Sequence, residues 1–110
     1  MGTFDIPQIS AKEAAERLKK DPAVKLIDVR TDEEYATARI PGAILLNQEE
    51  KVEEVLKWPK ETPIIVHCHH GGRSQQAAGF LTQRGFTNVS NLSGGIDAWS
   101  RDVDPSVPRY

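Results

Sequence analysis

Ile64-Ile-Val-His-Cys-His-His-Gly-Gly-Arg-Ser74 is the stretch that decides how this chain folds. Its first half, Ile64 to His67, is β-branched and has no alternating polar face, which predicts a short strand buried on both sides. Behind the loop, a helix is expected from about Ser74 to Arg84, closed by Gly85 as its C-cap. A strand that ends in cysteine, crosses two glycines and opens a helix builds an anion site. Glycine lets the backbone fold tightly so that successive N–H groups converge. The helix start brings its own free N–H groups and positive dipole end to the same point. A thiol held there, Cys68, is expected to ionise below the ordinary value of about 8.5. Arg73 adds a permanent planar charge suited to an oxyanion, and Ser74 reads as an N-cap and further hydroxyl donor.

Outward from this stretch the chain alternates strands and helices. Ser10-Ala-Lys-Glu13 is a capping-box pattern that opens a helix stopped at Asp21-Pro22. Val24 to Val29 reads as a strand, and Thr31-Asp-Glu-Glu34 as a second capping box opening a short helix through about Ala38. After the turn Ile40-Pro41-Gly42, Ala43 to Leu46 reads as a strand and Gln48 to Trp58 as an acidic amphipathic helix. Val89 to Leu92 is a further strand, Ser93-Gly94-Gly95 a turn, and Ile96 to Trp99 a short last helix. A weak opening strand is expected at Thr3 to Ile6. Strands separated by helices imply crossover units, hence an α/β domain with a mainly parallel sheet. Ligands of such sheets bind beyond the carboxyl ends of the strands, which is where Ile64–His67 delivers Cys68.

Composition bounds the function. At 110 residues the expectation is a single domain over 1–110, with a core at about 8–100 and short tails. The net charge of −2 argues against nucleic acid or anionic membrane as a partner. One cysteine forms no internal disulfide, and no apolar run approaches the roughly 18 residues of a membrane span. Met1 to Lys12 shows no secretory pattern, so the expected location is the cytoplasm. Between Glu61 and Asp97 there is no acidic residue while Arg73 and Arg84 contribute +2, so the remainder carries −4. A basic segment in an acidic chain favours a small anionic ligand.

All three histidines and the only cysteine occupy positions 67 to 70. Adjacent side chains diverge, and no distant Cys or His completes a tetrahedron, so no metal is expected. His67 is expected to pack, and His69 and His70 to line the pocket mouth. A positive charge at a helix start is unfavourable, so Arg73 needs an anion beside it. Asp28 and Arg30 are expected to pair with other polar groups and stiffen the loops, with pocket support as the alternative, and Arg39 is a further candidate to face the pocket. Gly94 and Gly95 read as turn residues.

Cys68-His-His-Gly-Gly-Arg73 resembles the active loop of single-domain rhodaneses, the thiosulfate sulfurtransferase family. Leu26-Ile-Asp-Val-Arg30 with Glu33, Glu34 and Tyr35 resembles the family's first signature, Arg39-Ile-Pro-Gly-Ala43 its second, and Leu92-Ser-Gly-Gly-Ile-Asp-Ala-Trp99 its closing motif. Many members carry histidine where this chain has Arg39. The resemblance implies a three-layer domain whose central sheet has about five strands, with helices on both faces. It implies that Cys68 carries sulfane sulfur as a persulfide. The N–H groups of His69, His70, Gly71, Gly72, Arg73 and Ser74 would cradle the outer sulfur, and Arg73 would hold a sulfonate. No cofactor is implied. The expected partners are a small anionic sulfur donor and a thiol or protein sulfur acceptor, and the expected state is a monomer. Two other readings compete. Phosphatases and arsenate reductases also end a cysteine loop with arginine, but theirs is one residue longer than His69–Gly72 allows here. A sulfur-relay module would take its sulfur from a protein persulfide with the same Cys68 chemistry.

Overall fold

The computed structural model describes residues 5–110. Five strands form one sheet: β1 (Gln8–Ile9), β2 (Lys25–Asp28), β3 (Ile44–Leu45), β4 (Ile64–His67) and β5 (Val89–Leu92). Their spatial order is β1-β5-β4-β2-β3, and every neighbouring pair is parallel. Five helices connect them: α1 (Ala11–Lys20), α2 (Asp32–Thr37), α3 (Glu49–Leu56), α4 (Gly72–Gln83) and α5 (Gly95–Asp102). Thr3 and Phe4 of the expected opening strand lie outside the described residues, and Ile6 packs in the core ahead of β1.

The two expected capping boxes start α1 and α2. In each, the Ser10 or Thr31 hydroxyl accepts the N–H three residues on, and Glu13 or Glu34 reaches back. Successive strand side chains point to opposite faces, so each buried strand feeds two cores. Leu26, Ile65 and Leu92 face α1 and α5, where Ala11, Ala14, Ile96 and Trp99 close one layer. Ile27, Ile64, Val66 and Val89 face α3 and α4, packing on Val55, Ala78, Leu81 and Phe86. This is the absence of a polar face in Ile64–His67 expressed as three layers, with all four residues buried. Among the described residues no helix is long and apolar enough to cross a membrane.

One polar pair lies within the apolar layers. Register places Asp28 beside His67 across β2 and β4. The Arg30 guanidinium returns to Asp28, with Nε donating to Oδ1 at 2.8 Å and Nη2 to Oδ2 at 2.6 Å. Arg30 also donates to the carbonyls of Ala38 and Glu34, tying α2 to the strand end. Both side chains are fully buried, so each satisfies a charge that would otherwise be costly. Asp28 and Arg30, each expected to pair with other polar groups, pair with each other and fix the carboxyl edge of the sheet. Asp28→Ala strands the Arg30 charge and is expected to cost about 3–5 kcal/mol in urea unfolding. Asp28→Ala combined with Arg30→Met should recover most of that loss; equal destabilisation in both variants would contradict the assignment.

Candidate active site

β4 ends at His67 and places Cys68 at the carboxyl edge, 1% exposed. Gly71 then takes φ of +119°, a conformation that favours glycine, and turns the chain directly into α4. The helix therefore begins two residues before the expected Ser74. Ser74 sits in its first turn, not at the cap. The cap residue, Gly71, offers no side-chain acceptor. Cys68 supplies one in its place: the Gly71 N–H donates to Sγ at 3.0 Å, and the backbone of Arg73 and Ser74 adds to the influences that favour its thiolate. The sulfur thus accepts a backbone N–H at a helix start, where an oxygen acceptor is more usual. Among the described residues, Gly71 is the backbone donor hydrogen-bonded to Sγ itself.

Burial works to raise the Cys68 pKa. The Ser74 hydroxyl and the three backbone N–H groups outweigh it, and the net shift is downward. The Ser74 hydroxyl lies 3.4 Å from Sγ and 2.5 Å from Asn91 Oδ1. Asn91 in turn donates to Gln8 Oε1 and to the Gly71 carbonyl, holding the loop against β5 and β1. Asn91 was not among the residues singled out from sequence. Its signal was a polar residue inside a strand whose four positions are all buried.

The far side of the loop is held by α5. The Ile96 N–H donates to the Cys68 carbonyl at 2.9 Å and the Asp97 N–H to that of His69 at 3.2 Å. Gly95 makes this approach feasible. Its φ is +59°, and a Cβ there would stand 2.5 Å from the His69 carbonyl oxygen and closer still to that of Cys68. Gly95 is therefore part of the site's scaffold, beyond the turn role read from sequence.

Arg73 has its anion within the protein. Nη1 and Nη2 donate to Glu34 Oε1 and Oε2 at 2.7 and 3.0 Å. The pairing holds the Glu34 carboxyl far below its ordinary range and raises the guanidinium. The anion that the charge at this helix start needs is a residue 39 positions away, and the basic segment read from sequence is partly neutralised in space. Two parallel bonds leave three of the five guanidinium N–H groups free of Glu34. Glu34 also accepts the Tyr110 hydroxyl at 2.6 Å.

His67 is buried, and burial lowers its pKa despite Asp28 at 3.7 Å, so it packs as a neutral ring. His69 lies between His70 and Tyr110, with ring centroids 3.9 and 4.0 Å away. His69, His70 and Asp97 each bring one donor atom within 4.8 Å, a grouping that adjacency alone did not suggest. The Asp97 carboxylate is already engaged by Arg109 at 2.9 and 3.1 Å. Arg39 is exposed, its guanidinium 4.6 Å above the Tyr35 ring; it makes none of the loop's hydrogen bonds or ion pairs among the described residues. A surface cleft lined by Pro7, Thr82, Phe86 and Ser90 lies where the chain enters β1 and β5, at the end of the sheet away from Cys68.

With this geometry in view, the Rhodanese-like domain family matches residues 10–102. The chain belongs to the rhodanese-like domain family. A protein named sulfurtransferase from Allochromatium vinosum is 35% identical over 102 residues, covering 93% of this chain and 95% of that one. The thiosulfate sulfurtransferase GlpE of Tolumonas auensis is 36% identical over 98 residues, covering 89% and 91%. The solved rhodanese-like domain protein of Staphylococcus aureus superposes with a TM-score of 0.76 at 28% identity, covering 96% and 99%. The α/β fold expected from the strand and helix order is therefore the rhodanese-like fold.

The Ser74 hydroxyl is the largest of the influences that lower the Cys68 pKa. The folded state favours the thiolate, so that contribution to stability is complete above the unfolded thiol pKa and is lost as pH falls through the folded one. Ser74→Ala is expected to move the thiolate titration, followed by ultraviolet absorbance, to higher pH. A curve identical to that of the unmodified protein would remove Ser74 from this role.

Proposed function

We propose that this rhodanese-like domain is a sulfurtransferase that moves sulfane sulfur from thiosulfate or a related donor to a thiophilic acceptor through a persulfide on Cys68. The observation that carries the reading is the seating of one buried sulfur at the start of α4, with the Gly71 N–H at 3.0 Å and the Ser74 hydroxyl at 3.4 Å. The names of the Allochromatium and Tolumonas relatives support sulfur transfer as the class of reaction.

In the first half-reaction the Cys68 thiolate attacks the outer sulfur of thiosulfate. A new S–S bond forms, the donor's S–S bond breaks, and sulfite leaves with its electron pair. In the second, a nucleophile such as cyanide or a thiol attacks the outer sulfur, and Cys68 leaves as thiolate. No proton needs to be removed from the attacked atom, so the reading assigns no general base to His69 or His70. A persulfide is an anion with its charge on the terminal sulfur. Donors fixed by the backbone stabilise it without reorganising at the moment of transfer. Arg73, with N–H groups left over from Glu34, would hold the donor's sulfonate. His69, His70, Gly71 and Gly72 would line the path to Cys68. Asp28 and Arg30 would support the site through the strand edge, whereas Arg39, stacked on Tyr35, makes none of the loop's hydrogen bonds among the described residues.

Cys68→Ser is expected to keep the fold and abolish thiocyanate formation from thiosulfate and cyanide. Mass spectrometry of the unmodified protein treated with thiosulfate should show a gain of about 32 Da, one sulfur atom, lost on addition of cyanide. Wild-type turnover in the serine variant would end the proposal. Arg73→Ala should raise KM for thiosulfate about tenfold or more with a smaller effect on kcat, as loss of a charge-assisted contact to the donor predicts. An unchanged KM would release Arg73 from donor binding.

A further inference from the structure

The thiol that must meet a donor is 1% exposed, so access to Cys68 depends on what stands over the loop. One residue spans both ends of it. The Tyr110 ring stacks on His69, the residue after Cys68, at 4.0 Å with 11° between the planes. Its hydroxyl donates to Glu34, which holds Arg73 at the loop's other end, and accepts from Arg30 Nη1 at 2.9 Å.

The segment that presents Tyr110 is itself held down. Val107 is buried in the α1/α5 layer, and the Ser100 hydroxyl donates to its carbonyl. Arg109 pairs with Asp97 at the start of α5. Tyr110 remains 41% exposed and stacks on His69 from the solvent side, so it is not a core residue. Its charged and aromatic neighbours have partners of their own: Glu34 has Arg73 and Arg30 has Asp28.

We propose that Tyr110 is a specificity-determining residue of the Cys68 site, whose ring on His69 forms a wall that admits small anionic sulfur donors and excludes donors carried on a bulky body. This deepens the proposed function and rests on it. Thiosulfate, a small anion, would reach Arg73 and Cys68 past the edge of the ring. A persulfide presented by a folded protein would have to displace the ring from His69 and break its hydroxyl contacts first.

Alkylation of Cys68 tests the wall without calling on sulfur transfer. The sequence holds no other cysteine, so each rate reports this site alone. Rate constants for iodoacetamide and for a bulky fluorescent maleimide are measured across pH and compared at full thiolate, which separates access from pKa. In Tyr110→Ala the maleimide rate should rise about tenfold while the iodoacetamide rate changes less than about twofold, because only the larger reagent meets the ring. Tyr110→Phe keeps the ring and should keep the wild-type ratio of the two rates. Equal changes for both reagents in Tyr110→Ala, no change for either, or a ratio in Tyr110→Phe as high as in Tyr110→Ala would overturn the proposal. Loss of thiocyanate formation with the alkylation ratios as expected would instead overturn the sulfurtransferase reading and leave the wall standing.

Discussion

The capture of a helix start by a sulfur atom is the constraint around which the rest of the structure is arranged. Orphan N–H groups at the first turn of a helix must find acceptors, and a buried thiol must find stabilising partners if it is to ionise. Here each need meets the other. Gly71 bends the chain so that its own N–H donates to Cys68 Sγ and the Ser74 hydroxyl lies beside it. The arrangement demands that the loop be held still, and two elements do this from opposite sides. Asn91 on β5 fixes the Gly71 and Ser74 side, and the α5 start binds the carbonyls of Cys68 and His69. Gly95 tolerates that approach because any side chain would collide with the same carbonyls.

A second arrangement runs along the edge of the sheet. Asp28, Arg30, Tyr110, Glu34 and Arg73 follow one another through hydrogen bonds, acids alternating with bases on either side of the phenol. It begins fully buried beside His67 and ends half-exposed at the loop, so the interior pair is satisfied while the outer guanidinium keeps N–H groups free. The same carboxylate caps α2, through the Thr31 N–H, and pairs with Arg73, so the short helix and the cysteine loop share one residue, Glu34. The cysteine loop, the sheet edge and the placement of α2 are thereby linked through a few side chains.

Much of this was legible in the chain. The capping boxes at Ser10 and Thr31, the apolar Ile64–His67 run and the glycine behind α4 carry local signals whose physics needs no distant partner. Boundaries set by tertiary contact were less so. The start of α4 lies ahead of Ser74 because Cys68 serves as its acceptor, which no propensity at Ser74 could reveal. The last helix runs from Gly95 to Asp102, beyond the expected Trp99, because Ser100 finds a buried partner in Val107.

What the sequence alone determined was the alternation of strands and helices, and the delivery of a lone cysteine, followed by glycines and arginine, to the carboxyl edge of a parallel sheet. Those follow from side-chain periodicity, backbone freedom and the geometry of crossover connections, all of them local properties. Only the tertiary structure decided which groups surround that cysteine: Asn91 behind Ser74, Glu34 on Arg73, Tyr110 on His69, and Gly95 under the loop carbonyls. Each of these joins residues at least 17 positions apart, and packing of the sheet and helices, not neighbourhood in the chain, is what brings them within hydrogen-bond or van der Waals reach.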